Sequence, residues 1–195
     1  MTSPAPRTPD RRSQRTRDAL RDALLELMAE LGWEDVSVQN LCERADVARS
    51  TFYLHYTSQD ELLQYGFRTL QQHLQTMADQ ESPVSGAQPD WRGFVFSRGL
   101  VEHAYENRAL FRSLIGRRSG LPVQQRFREM VLRLIDHEFP TPTGELPRAA
   151  MVRQLAAALT ELMAWSVELP TPMPAERLAA ALDRIAVPML RLDSP

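Results

Sequence analysis

Apolar residues return at helical spacing along almost the whole chain, and the pattern divides it into about nine helices. From Arg11 to Leu31, Leu20, Leu24, Leu27 and Leu31 fall on one face, and Gly32 supplies a stop. Ser37 ahead of Val38, Leu41 and Ala45 reads as the N-cap of a two-turn helix. A break at Asp46, a residue type that tolerates the left-handed backbone, leads to a second short helix from Arg49 to His55. Ser58-Gln-Asp-Glu61 is a capping box, and Leu63, Phe67, Leu70, Leu74 and Met77 carry the stripe of the helix it opens.

Pro83 to Pro89 predicts a loop, and helices are expected over 91–106, 107–116 and 122–138. Asn107, the segment from Gly116 to Pro122, and Phe139-Pro-Thr-Pro-Thr-Gly144 supply the breaks between and after them. Two last helices, over 147–168 and 174–191, flank Leu169-Pro-Thr-Pro-Met-Pro174. Met151, Leu155, Ala158, Leu162, Trp165 and Leu169 advance by alternating steps of four and three, as do Leu178, Leu182, Ile185, Met189 and Leu192. That spacing suits helices packed at a shallow angle. Pro188 should kink or fray the last helix.

Composition narrows the class. With 43% hydrophobic and 25% charged residues the chain can build a core and is not a disordered polymer. Strand-type runs of Val, Ile and Thr are almost absent, so the expected fold is all-α. A net charge of -2 does not by itself announce a nucleic-acid partner, although every basic residue is Arg. Cys42 is the single cysteine, which rules out an internal disulfide. The segment with Pro4, Pro6 and Pro9 lacks the apolar core of a signal peptide, and no apolar run approaches the ~18 residues of a membrane span. A cytoplasmic protein without membrane contact is expected. The organisation predicted is a flexible arm over 1–10, a helix-turn-helix DNA-binding domain over 11–57 and a larger helical domain over 58–195.

Two short helices joined by a tight turn, with a longer helix before them, make a helix-turn-helix unit. Val38, Leu41, Cys42, Ala45, Val47 and Phe52 would be its core. The second helix, Arg49-Ser-Thr-Phe-Tyr-Leu-His-Tyr56, would enter the major groove of double-stranded operator DNA. Arg49 can fork onto a guanine edge and Thr51 can meet a base; Tyr53 and His55 can hold phosphates. Ser37, Ser50 and Tyr56 complete the candidates on these two helices. Six arginines between Arg7 and Arg21, among them Arg11, Arg12 and Arg15, face only Asp10 and Asp18, a local excess suited to phosphate contact. Over residues 1–56 eight arginines meet nine acids, so a positive face must be one-sided, with Glu26, Glu30, Glu34 and Asp35 turned away from DNA.

Gly32-Trp-Glu-Asp-Val-Ser-Val38, Leu41-Cys-Glu-Arg-Ala-Asp-Val47, Ser50-Thr-Phe-Tyr-Leu-His-Tyr56 and Ser58-Gln-Asp-Glu-Leu62 together resemble the N-terminal domain of the TetR/AcrR family. The resemblance covers about residues 11–65. It implies a three-helix DNA-binding domain on a larger domain that dimerises and usually binds a small effector. Three positions depart from the family's pattern: Ala48 where a Ser commonly caps the recognition helix, Asp46 where Gly is frequent in the turn, and Gln59 where a Lys often meets phosphate.

The larger domain holds the aromatic and Met side chains that line apolar pockets as readily as cores. Phe94, His103, Phe111, Phe127, Met130 and Trp165 are the candidates for a pocket taking a small apolar or aromatic effector. Met151, Leu155, Leu162, Leu178, Leu182 and Ile185, on the two heptad-like helices, are the candidates for a homodimer interface in a four-helix bundle. Enzymatic readings find little. His55, His73, His103 and His137 lack zinc spacing, and there is neither a phosphate-cradling Gly loop nor a nucleophile elbow. No catalytic residue, metal or cofactor is expected. The remaining alternative is a helical adaptor or effector-binding protein without specific DNA binding, to which Gln59 and the near-neutral N-terminal region lend slight support.

Overall fold

The computed structural model describes residues 11–80, 94–115, 120–139 and 147–191. The arm over 1–10, the loop over 83–89, the first residues of the helix expected from 91, and most of the break over 139–144 lie outside the described residues. Among the described residues there are nine α-helices, one short 3₁₀ turn and no strand. They are α1 (Arg11–Leu31), the 3₁₀ turn (Trp33–Asp35), α2 (Val38–Arg44), α3 (Arg49–His55), α4 (Gln59–Gln80), α5 (Val95–Glu106), α6 (Arg108–Ile115), α7 (Leu121–Glu138), α8 (Arg148–Glu168) and α9 (Ala175–Arg191). The all-α reading holds, and the helices fall close to their expected bounds. The last helix runs on through Pro188.

Local chemistry explains the short N-terminal helices. Ser37 Oγ accepts from the Asn40 backbone at 3.2 Å while Asn40 Oδ1 accepts from the Ser37 N–H at 2.8 Å, a reciprocal cap for α2. Asp46 sits at φ 52, the left-handed conformation the turn requires. Ser58 caps α4 through the Glu61 N–H, while Glu61 reaches back to the N–H and hydroxyl of Thr57 at 2.6 and 2.8 Å. Those two donors hold Glu61 below the usual carboxylate range.

The buried side chains form one continuous cluster from Leu20 to Ala186, so α1–α3, the head, is not a detached bead. Helix α1 packs on α2 within the head and on α4 and α6 of the body. Gln14 donates to the Tyr65 hydroxyl at 3.0 Å, a polar tie between α1 and α4. In the body α4 lies against α5 and α7, α7 against α8, and α9 against α5 and α8. Two arginines of α6 close the end of α8, where carbonyls lack helical partners: Arg108 Nε donates to Val167 O at 2.8 Å and Arg112 Nε to the same oxygen at 3.1 Å.

The packing of α8 and α9 corrects the expected interface. Met151, Leu155, Leu178 and Leu182 are buried against the chain's own core, at 2% exposure or less, and offer no surface to a partner. The four-and-three spacing marks this intramolecular face. Leu162 is half-buried and Ile185 is exposed, so these two alone of the six candidates remain accessible.

Candidate nucleic-acid interface

Helix α3 is held by Phe52, fully buried, whose ring meets Tyr53 edge-on at 5.4 Å and Tyr56 at 5.9 Å. With Phe52 fixed inward, helical geometry points Arg49, Ser50, Tyr53 and Leu54 outward, and all four are exposed. Thr51 and His55 lie on the flanks and are half-buried. An exposed rod seven residues long, anchored by one aromatic, is what reading base edges requires. Ala48, at its N-cap, makes no side-chain cap bond.

Leu54 was not among the sequence candidates. It is 82% exposed, with no folding role to justify an apolar side chain there. The signal was present: counting from the inward Phe52, position 54 falls on the outer side of a 100° helical wheel. In a major groove such a side chain meets a thymine methyl.

Tyr56 is a correction. It is 4% exposed, packs 5.7 Å from Tyr65, and follows the helix in extended backbone that turns it into the core. Burial pushes its phenol pKa up. It shapes the floor beneath α3 and does not stand with the outward groups.

Part of the charge in the head is internally paired. Arg44 of α2 forks onto Glu30 of α1 at 2.9 and 2.7 Å and also reaches Glu26 at 3.0 Å. Those bonds hold Glu30 below its ordinary pKa. Two acids and one base are thereby paired with one another. Arg49 on α3 and Arg11, Arg12 and Arg15 at the start of α1 are exposed. Ser37 is exposed as well, its oxygen already engaged as a cap acceptor.

The expected effector residues divide. A cavity of about 350 Å³ opens between α1, α4, α5 and α6, and His103 and Phe111 line it. Phe94 and Met130 are sealed in the core instead. Phe127 stacks edge-on behind Phe111 at 5.6 Å and faces a separate groove with α8. Trp165 is 46% exposed on α8 and does not line this cavity. The wall that sequence reasoning missed is Leu24, Leu25 and Met28 of α1 with Leu63, Phe67 and Leu70 of α4.

A short helix-turn-helix unit on an all-helical body is the architecture of proteins that dock a helix in the major groove of DNA. Residues 20–65 match the family model of bacterial regulatory proteins, tetR family. Through this segment the chain is similar to the N-terminal domain of that family. An uncharacterized HTH-type transcriptional regulator of Bacillus subtilis (strain 168), YxbF, is 39% identical over 56 residues, which are 28% of this chain and 15% of that protein. Among solved structures, a TetR transcriptional regulator from Streptococcus agalactiae 2603V aligns over 91% of this chain and 96% of its own, at TM-score 0.66 and 22% identity. NalD, the secondary repressor of the MexAB-OprM multidrug efflux pump in Pseudomonas aeruginosa, aligns over 94% and 100%, at TM-score 0.68 and 18% identity. At those identities the solved structures speak for the fold.

Proposed function

We propose that this chain is a homodimeric, sequence-specific regulator of transcription, a repressor that leaves a palindromic operator when a small molecule binds. The observation that carries the reading is the outward face of α3: Arg49, Ser50, Tyr53 and Leu54 exposed together on a helix pinned by Phe52. Arg49 reads a guanine edge, Leu54 meets a thymine methyl, and Tyr53, His55 and Ser37 position the backbone. Arg11, Arg12 and Arg15 supply phosphate charge. Residues 11–57 act as the reading head and 58–195 as the regulatory and dimerising body.

The dimer face lies on the outer side of α8 and α9. Leu162 and Trp165 sit there one helical turn apart, with Ala158 a turn before, and Ile185 and Ala181 occupy the matching side of α9. Small alanines between larger apolar residues let two such pairs approach as a four-helix bundle. A two-fold dimer would space two α3 helices about 34–36 Å apart, one turn of DNA. Cytoplasmic location follows from this role; no described helix is long and apolar enough to cross a membrane.

A gel-shift assay on DNA flanking the chain's own coding region tests the reading. A palindromic fragment should be retained with an affinity that falls steeply as salt rises. Arg49→Ala should cost about 1–3 kcal/mol on the specific fragment. Equal affinity for scrambled and native fragments would favour the adaptor alternative.

A further inference from the structure

The cavity between α1, α4, α5 and α6 sits where the head joins the body, not in the interior of the body. Its walls are apolar: Leu24 and Met28 from α1, Leu63 and Phe67 from α4, Leu110 and Phe111 from α6. At about 350 Å³ it lies at the small end of the ~300–1,000 Å³ range of ligand sites. Gly66 of α4 opens onto it. A Cβ there would meet only Arg21 Cγ, at 3.9 Å, so no backbone or ring contact demands a glycine at this mid-helix position. What the missing side chain leaves is space in the cavity wall.

The polar groups restrict the chemistry of an occupant. Arg21 is spent on the head's own acids, at 3.1 Å from Asp18 and at 3.0 and 2.8 Å from Asp22. An anion would find that cation already paired, and Asp18, Asp22 and Glu106 nearby. A cation would find Asp22 neutralised by Arg21. Thr69 has its hydroxyl donated to the Tyr65 carbonyl at 3.0 Å. Thr69 can then only accept, which leaves the imidazoles as donors, His73 at the exposed rim and His103 further in. His103 stands edge-on to Phe111 at 6.5 Å, and burial pulls its pKa down, favouring the neutral ring; its Nδ1 faces the Asn107 side-chain amide N–H at 3.5 Å, which leaves Nε2–H as a donor to an occupant's hydroxyl oxygen.

We infer that this junction cavity binds an uncharged aromatic molecule bearing a hydroxyl, its ring between Phe67, Phe111 and the leucines and its hydroxyl on His103. The occupant touches α1 on one side and α4 and α6 on the other, and so sets the angle between head and body. This last consequence rests on the regulator reading; the binding site does not.

Naphthol, naphthalene and naphthoate share a ring system and differ in the polar group, which makes them suitable probes. Calorimetric titration of the full chain without DNA should show naphthol binding at least tenfold tighter than naphthoate. His103→Phe should erase the preference of naphthol over naphthalene. Gly66→Leu should weaken naphthol at least tenfold while circular dichroism reports unchanged helix content; Thr69→Leu is the second filling variant should Gly66→Leu not fold. Naphthoate binding as tightly as naphthol, no binding by any of the three, or naphthol affinity untouched by both filling variants would overturn the inference. Operator affinity is measured separately. Naphthol bound in the cavity without any change in operator affinity would sink the effector clause of the proposed function and leave the site standing.

Discussion

The start of α7 presses the body onto the head, and one methyl group tests how firmly. Gly120 has φ 70 and ψ 151, a region that residues with a Cβ enter at a cost of ~1–3 kcal/mol. A Cβ placed there would stand 2.5 Å from Glu34 Oε1 and 2.7 Å from Trp33 Cδ1. Glu34 is exposed and can swing aside. Trp33 is 5% exposed, so its indole must back into packed core, an overpacking cost of ~1–3 kcal/mol. Gly120→Ala should therefore lose roughly 2–6 kcal/mol. Gly66→Ala is the matched control, because the same atom is added inside α4 at ordinary contact distance. It should gain ~0.5–1 kcal/mol from helix propensity. Urea unfolding at one fixed protein concentration measures both, since dimerisation would otherwise shift the midpoints. Two variants moving in the same direction, or Gly120→Ala within about 0.5 kcal/mol of the parent, would show that the Trp33 contact does not hold the two parts together.

Three further outcomes are expected. Leu54→Ala should leave thermal stability unchanged, because the side chain is 82% exposed, yet weaken operator binding by about 1–2 kcal/mol if a thymine methyl is buried against it; replacing that thymine by deoxyuridine should abolish the difference between the two proteins. Glu138 accepts from the Phe96 and Ser97 backbone N–H groups and, at 2.8 Å, from the Ser97 hydroxyl, and burial pushes its carboxyl up to about 8 from 4.5, with Asp183 adding to the rise. The folded chain thus holds this proton better than the unfolded chain, so stability should fall as pH climbs from about 4.5 through 8, by up to ~4 kcal/mol; Glu138→Gln should flatten that slope, and parallel profiles for the two proteins would contradict the assignment. Finally, Trp165→Glu should give a folded monomer in analytical ultracentrifugation, whereas Leu155→Glu, which places a charge in the core, should unfold the chain. A dimeric Trp165→Glu protein would exclude the outer face of α8.

What could be read in the sequence was what short-range chemistry decides. Ser37, Asp46 and the Ser58 box act within a few residues of themselves, so the bounds of α2, α3 and α4 were legible, and with them the reading helix. Tyr56 was misplaced because it follows the end of α3, where helical periodicity no longer tells inside from outside. Four of the six dimer candidates, Met151, Leu155, Leu178 and Leu182, proved buried for a different reason. A heptad stripe reports that a helix has an apolar face, and α8 spends that face on α5, α6, α7 and α9 of its own chain. Its second apolar surface, with Ala158 and Trp165, is too sparse to stand out. The cavity could not be anticipated from any one segment. Its walls come from α1, α4, α5 and α6, and Leu24 and Met28 read in isolation as nothing more than the inner face of the first helix.

Cys42 is 5% exposed between α2 and its neighbours, and burial raises its thiol pKa. As the lone cysteine of the chain it leaves the surface chemically blank toward maleimides and methanethiosulfonates. One cysteine introduced at the exposed Gln39 would carry a nitroxide without competition, and in a two-fold assembly a single substitution yields a pair of spins. Pulsed dipolar spectroscopy on that pair would read the separation of the two reading heads directly, with and without naphthol, in the native background.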